Sequence, residues 1–102
     1  MKQETNWGAE RFTITNPDQE PVLIEVCGRD RWALECLLAA GARGCTPIDT
    51  PGPRWSGYVF NLRKAVVDIE TVTEAHDGPF SGTHARYVLR SKVTRYRQGG
   101  AA

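Results

Sequence analysis

No stretch of this sequence approaches the roughly 20 consecutive apolar residues needed to cross a bilayer. The opening Met1-Lys2-Gln3-Glu4-Thr5-Asn6 lacks the hydrophobic segment of a secretory leader. Cysteine is scarce and odd in number. Cys27, Cys36 and Cys45 stand nine residues apart each time, which suits no zinc site, and three thiols cannot all pair in a disulfide framework. We read them as small core fillers in a reducing compartment, and the expected location is the cytoplasm. The two histidines, His76 and His84, flank one loop with Asp77 beside them, too few donors to predict a metal site. There is no glycine-rich phosphate loop, no paired carboxylate motif, and no histidine–acid pattern around Ser56 or Ser81. The sequence therefore predicts neither an enzyme nor a bound metal or other cofactor.

What is present is the composition of one soluble domain: 102 residues, 40% hydrophobic and 25% charged. A net charge of +1 conceals strong segregation. Residues 29–64 carry Arg29, Arg31, Arg43, Arg54, Arg63 and Lys64 against Asp30, Glu35 and Asp49. Residues 65–85 hold only acids, Asp68, Glu70, Glu74 and Asp77, and residues 86–97 only bases, Arg86, Arg90, Lys92, Arg95 and Arg97. Segregation of this kind builds a basic surface on a nearly neutral protein.

The organising stretch runs from Pro53 to Tyr87. Pro53 suits a first helical position, where its missing amide hydrogen has no partner to lose. Trp55, Tyr58, Val59, Leu62 and Val66 then keep the rhythm of one helical face. The other side shows Gly57, Phe60, Asn61 and Lys64, with Arg54 at its flank. Val67, Ile69 and Thr71 begin a strand, Asp77-Gly78-Pro79 and Ser81-Gly82 are turn chemistry, and Arg86 to Arg90 returns as its partner. The loop from His76 to His84 becomes the tip of a hairpin.

Upstream, Phe12–Thr15 and Pro21–Cys27 read as two strands around the Asn16-Pro17-Asp18 turn. Asp30 is placed to cap a helix from Arg31 to Ala40 that Gly41 ends. Gly41-Ala42-Arg43-Gly44 is a turn, and Thr46-Pro47-Ile48-Asp49 reads as the capped start of a second helix that Pro51 stops almost at once. An exposed helix followed by a hairpin is how a winged helix-turn-helix presents itself to DNA.

With these residues placed, the chain resembles a family of small winged-helix proteins of bacteria and phages. The resemblance is carried by Gly41-Ala42-Arg43-Gly44, Pro53-Arg54-Trp55-Ser56-Gly57-Tyr58-Val59, Leu62-Arg63-Lys64, Val67-Asp68-Ile69-Glu70-Thr71, Gly78-Pro79-Phe80 and His84-Ala85-Arg86-Tyr87-Val88-Leu89. It implies an α+β fold of three helices, the second very short, with a C-terminal β-hairpin wing and extra N-terminal strands. The expected divisions are an arm with strands over 1–28, the winged helix-turn-helix over 29–93 and a basic tail over 94–102. One departure stands out: Val66 occupies a place where the family pattern calls for glycine, at the passage from helix to wing.

The resemblance also implies a double-stranded DNA partner and a regulatory role in transcription, with helix 53–66 in the major groove and the 76–84 wing on the backbone. Arg54, near the helix start, suits a phosphate. Asn61 and Lys64 suit base edges, and Phe60 a thymine methyl group. Ser56, Gly57 and His84 complete the contact set, and Arg43, Arg86 and Lys92 suit flanking phosphates. Many such domains occupy two half-sites as a homodimer, although nothing in this sequence marks a dimer surface. The alternative is a winged-helix adaptor that binds protein, with Phe60 at the centre of its patch and an acidic wing that repels DNA.

Overall fold

The computed structural model describes residues 7–50, 54–76 and 82–96. Strands β1 (Glu10–Thr15) and β2 (Val22–Val26) pair antiparallel across a turn in which Asp18 takes a φ of 61°. A later strand, β5 (Lys92–Arg95), pairs with the other side of β1, so the sheet runs β2-β1-β5. Alternation along β1 sends Phe12 and Ile14 inward, and both are fully buried. They meet Ala33, Leu34 and Leu37 of helix α1 (Gly28–Ala40), joined by Val59 and Leu62 from the second helix. Each fully buried leucine here contributes about 2 kcal/mol of hydrophobic stabilisation.

Helix α1 starts three residues before the expected Arg31, with Cys27 at its N-cap and no side-chain cap hydrogen bond. Asp30 lies inside the first turn, where a carboxylate still favours the positive end of the helix dipole. Its side chain is thereby free to reach another element. The expectation that all three cysteines fill the core holds for buried Cys45 and half-buried Cys36; Cys27, at the helix start, is exposed.

Gly41–Arg43 forms a 3-10 turn after α1. Cys45 then makes an antiparallel bridge to Tyr87, with backbone bonds of 2.9 and 2.8 Å. Gly44 has a φ of 72°, and a Cβ built on it would lie 2.5 Å from the Tyr87 carbonyl oxygen and 2.9 Å from a Val88 methyl group. Only glycine fits both the backbone conformation and the space.

The expected capping box is present: the Thr46 hydroxyl accepts from the Asp49 amide at 3.0 Å, and the Thr46 amide donates to the Asp49 carboxylate at 3.0 Å. The helix it was expected to start is reduced to a single turn closed by Thr50 N–H to the Thr46 carbonyl, 2.9 Å. The described residues thus contain two α-helices and a 3-10 turn where three helices were expected.

Helix α2 (Trp55–Lys64) buries Trp55, Tyr58, Val59 and Leu62, as its spacing predicts. Pro53, the expected first helical residue, lies outside the described residues. Val66 leaves the buried stripe: it is 43% exposed and takes a φ of 66°. The reason is a Schellman turn. The Val67 amide donates to the Leu62 carbonyl at 3.1 Å and the Val66 amide to the Arg63 carbonyl at 3.0 Å, which requires a left-handed residue at position 66. Glycine usually fills that position, and valine there carries the strain of a β-branched side chain in the left-handed region.

The wing is the hairpin of β3 (Ile69–His76) and β4 (Gly82–Leu89), in register from Ile69↔Leu89 to His76↔Gly82. His84 therefore sits within a strand rather than in the tip, opposite Glu74. The expected turn residues Asp77 to Ser81 lie outside the described residues. No helix among the described residues is long and apolar enough to cross a membrane.

Two substitutions test this reading of the backbone. Gly44→Ala should cost roughly 2–4 kcal/mol in urea unfolding, from left-handed strain plus the clash with β4; a cost under about 1 kcal/mol would refute the close approach. Val66→Gly should raise stability by about 1 kcal/mol, the relief of strain outweighing the added unfolded-state entropy. An unchanged or lower denaturation midpoint would show that Val66 is unstrained.

Candidate nucleic-acid interface

The outward face of α2 is built by its inward one. With Trp55, Tyr58 and Leu62 committed to the interior, Ser56, Phe60, Asn61 and Lys64 are left exposed, and Gly57 half-exposed, with exposed Arg54 at the N-cap. Behind them, an aromatic cluster fixes the helix. The Trp55 ring stacks on Tyr87 at 6.0 Å and 19°, and Trp32 lies 5.4 Å from Trp55 and 6.1 Å from Tyr58. The Trp55 indole nitrogen donates to the Thr50 carbonyl at 2.6 Å, so a buried polar atom is satisfied.

Along the exposed face the residues group in pairs. The Arg54 side chain turns back over Gly57, its Nε 3.8 Å from where a Cβ would stand. That separation is ordinary van der Waals contact, so the arginine does not require a glycine at this position. Phe60 is 61% exposed, and Lys64 places its Nζ 5.3 Å from the ring centroid. Such a contact orients the ammonium without neutralising it. Neither Arg54 nor Lys64 forms an ion pair among the described residues. Asn61 is different: its amide nitrogen donates to both carboxylate oxygens of Asp30, at 3.2 and 3.3 Å.

The wing residues are engaged within the fold. The Arg86 Nε donates to a Glu74 oxygen at 2.5 Å, and its Nη1 donates to the Arg43 carbonyl at 2.9 Å and approaches Asp49 at 3.8 Å. Arg86 therefore joins the wing to the 3-10 turn. His84 Nε2 lies 3.1 Å from the other Glu74 oxygen. Further along, Arg90 pairs with Glu70 across the same hairpin. The acidic strand that argued against DNA is thus neutralised by its own partner strand. The side chains of Arg43 and Lys92 are exposed and carry no ion pair among the described residues. No group of three metal-ligating side chains occurs among the described residues.

Two residues with a part in the site were not singled out from the sequence. Arg63 donates through Nε and Nη2 to the Ile69 carbonyl, at 3.2 and 2.6 Å, and to the Thr71 hydroxyl at 2.8 Å, binding the end of α2 to the wing. Asp30, assigned to capping, instead holds Asn61.

The hydrogen bond from Arg86 is the largest of the causes that keep the Glu74 carboxyl below the usual glutamate range, and His84 adds to it. Because the folded pKa is depressed, this cross-strand tie is present at neutral pH and is lost as pH falls through the lowered value. The Glu74 carboxyl followed by NMR should titrate below about 4.3, the ordinary value. In Arg86→Gln it should move up towards that value; an unmoved midpoint would exclude Arg86 as the cause.

With this geometry in view, comparison with known proteins gives one match. No curated protein and no solved structure matches the chain. A family model described as a winged helix domain matches residues 23–99, which takes in all but the first residue of β2, both helices, the wing and β5. The chain belongs to the winged helix domain family.

Proposed function

We propose that the protein binds double-stranded DNA, with α2 in the major groove, and that it acts as a regulator of transcription. The observation that carries this reading is the charge balance around the helix. Among the described residues Arg54 and Lys64 form no ion pair and keep positive charge at the two ends of its exposed face, whereas Glu70 and Glu74 of the wing are matched by Arg90 and Arg86. A helix of ten residues is about 15 Å long, which allows the two cations to meet phosphates on either side of the groove. Phe60 faces outward between them and offers an apolar edge to a thymine methyl group. Ser56 and Gly57, whose side chains are small, let the first turn of the helix approach closely once the Arg54 side chain that lies over Gly57 reaches out to a phosphate. Arg43 and Lys92 supply further phosphate contacts, and Arg86 acts chiefly by offsetting the negative charge of Glu74 before the approaching backbone, with His84 against the other oxygen of the same carboxylate.

A second reading rests on Phe60. A phenylalanine exposed at the middle of a helix, with a lysine against its ring, also suits the centre of a protein-binding patch. The two readings separate in a titration of random-sequence duplex against salt. DNA binding predicts a linear fall of log K with log salt, with a slope smaller by about 1 in each of Arg54→Ala and Lys64→Ala. Duplex binding that is absent, or insensitive to salt, would reject the DNA reading and leave the adaptor.

A further inference from the structure

The contact between α1 and α2 at the exposed face is chemically one-sided. Asp30, in the first turn of α1, lies against Asn61, in the last two turns of α2, and both Asp30 oxygens accept from Asn61 Nδ2. A carboxylate only accepts, so of the two ends of the Asn61 amide only the nitrogen can face it. The Asn61 oxygen is therefore turned away from Asp30, on a residue that is exposed. An unrestrained asparagine reads adenine with both ends of its amide, accepting from N6–H and donating to N7. Asp30 takes up one of the two N–H donors of Asn61 Nδ2 and so fixes which end of the amide points outward, the oxygen being the end turned from the carboxylate.

We propose that Asp30 is a positioning residue for recognition: it orients Asn61 to present a hydrogen-bond acceptor to the groove. The pair then selects a base that carries an exocyclic amino group. Adenine N6 and cytosine N4 both donate in the major groove, and both can satisfy the Asn61 oxygen. Guanine O6 and thymine O4 are acceptors, and would set a lone pair against the Asn61 oxygen and the Asp30 charge behind it. The recognised feature is thus amino against keto at one position of the contacted strand. This inference rests on the DNA-binding reading above and adds to it the chemical class of base that Asn61 selects.

The test is selection of binding sites from random duplexes at near-physiological salt, with the wild type, Asn61→Ala, Asp30→Ala and the shape-conserving Asp30→Asn. The wild type should enrich adenine or cytosine about tenfold over guanine and thymine at one position. Asn61→Ala should lose that preference while keeping the rest of the site. Asp30→Ala should relax it, because the released amide can rotate and donate to guanine O6 or thymine O4, with duplex affinity unchanged or higher. Asp30→Asn should behave in the same way if it folds as the wild type does by circular dichroism. In the free protein, the Asn61 side-chain amide protons should shift on Asp30→Asn. A wild-type preference for a keto base at the position that Asn61→Ala relaxes would overturn the proposal. So would an unchanged amino preference in both Asp30 variants, and either result leaves DNA binding itself intact. If the wild type binds no duplex at any salt, the DNA-binding reading fails and the base preference falls with it.

Discussion

The direction in which the wing leaves the helix is set by one backbone turn. At the end of α2 the chain reverses through Val66 in the left-handed region, and the turn is held from three sides. The Schellman bonds close it from within, between the buried residues Leu62 and Val67. Asn16 donates from the β1–β2 turn to the Val66 carbonyl at 2.9 Å. Ser91, just before β5, donates to the Asn16 oxygen while its own hydroxyl accepts from the Asp68 amide at 2.8 Å. A strained residue persists only where its surroundings over-determine it, and here the N-terminal sheet supplies the determination. The three-stranded sheet is therefore part of how the helix and wing are aimed, as well as a cover for the core.

The same sheet is locked to α1 by charge. Arg95 of β5 donates to both oxygens of Glu35 at 2.9 Å and to Glu10 at 3.2 Å, while Arg31 reaches Glu35 at 3.1 Å. These bonds, those from Arg95 first, keep the Glu35 carboxyl below the usual range against the opposing effect of its burial. Much of the positive charge that the sequence places in its C-terminal third is thus spent inside the protein, on Glu35, Glu70 and Glu74. Among the described residues, the cations left without an ion pair are Arg54, Arg63 and Lys64 on and beside α2, Arg43 in the 3-10 turn, Arg29 in α1 and Lys92 in β5. A sum over the chain hides this division; the pairing pattern displays it.

How far the sequence anticipated the structure depends on the range of the interactions. The buried face of α2 and the Thr46–Asp49 cap were legible because each is set by residues within a few positions of one another. The hairpin was legible because each strand carries its own alternation, although its register joins residues up to 20 positions apart. The single turn at 46–50 was overestimated as a helix since a cap specifies a beginning but not an extent. Arg86 and His84 were read as DNA contacts, yet their partner Glu74 faces them only through the hairpin register. Asp30 was misplaced for a related reason: capping is a local role, and its actual partner, Asn61, is 31 positions away. The missing glycine at 66 was noticed, but only the carbonyl and amide partners of the turn explain why valine takes the left-handed form there.

The aromatic cluster under α2 has an optical consequence. Trp32, Trp55 and Tyr58 lie 5.4–6.3 Å from one another, ring to ring, and Tyr87 stacks on Trp55 at 6.0 Å, all at unequal tilts. Transition dipoles held at such separations couple, so the folded protein carries a built-in chromophore whose rotational strength depends on how α2 is seated. A ligand that shifts the seat of that helix changes the coupling among these rings and so reports itself without a dye or a label.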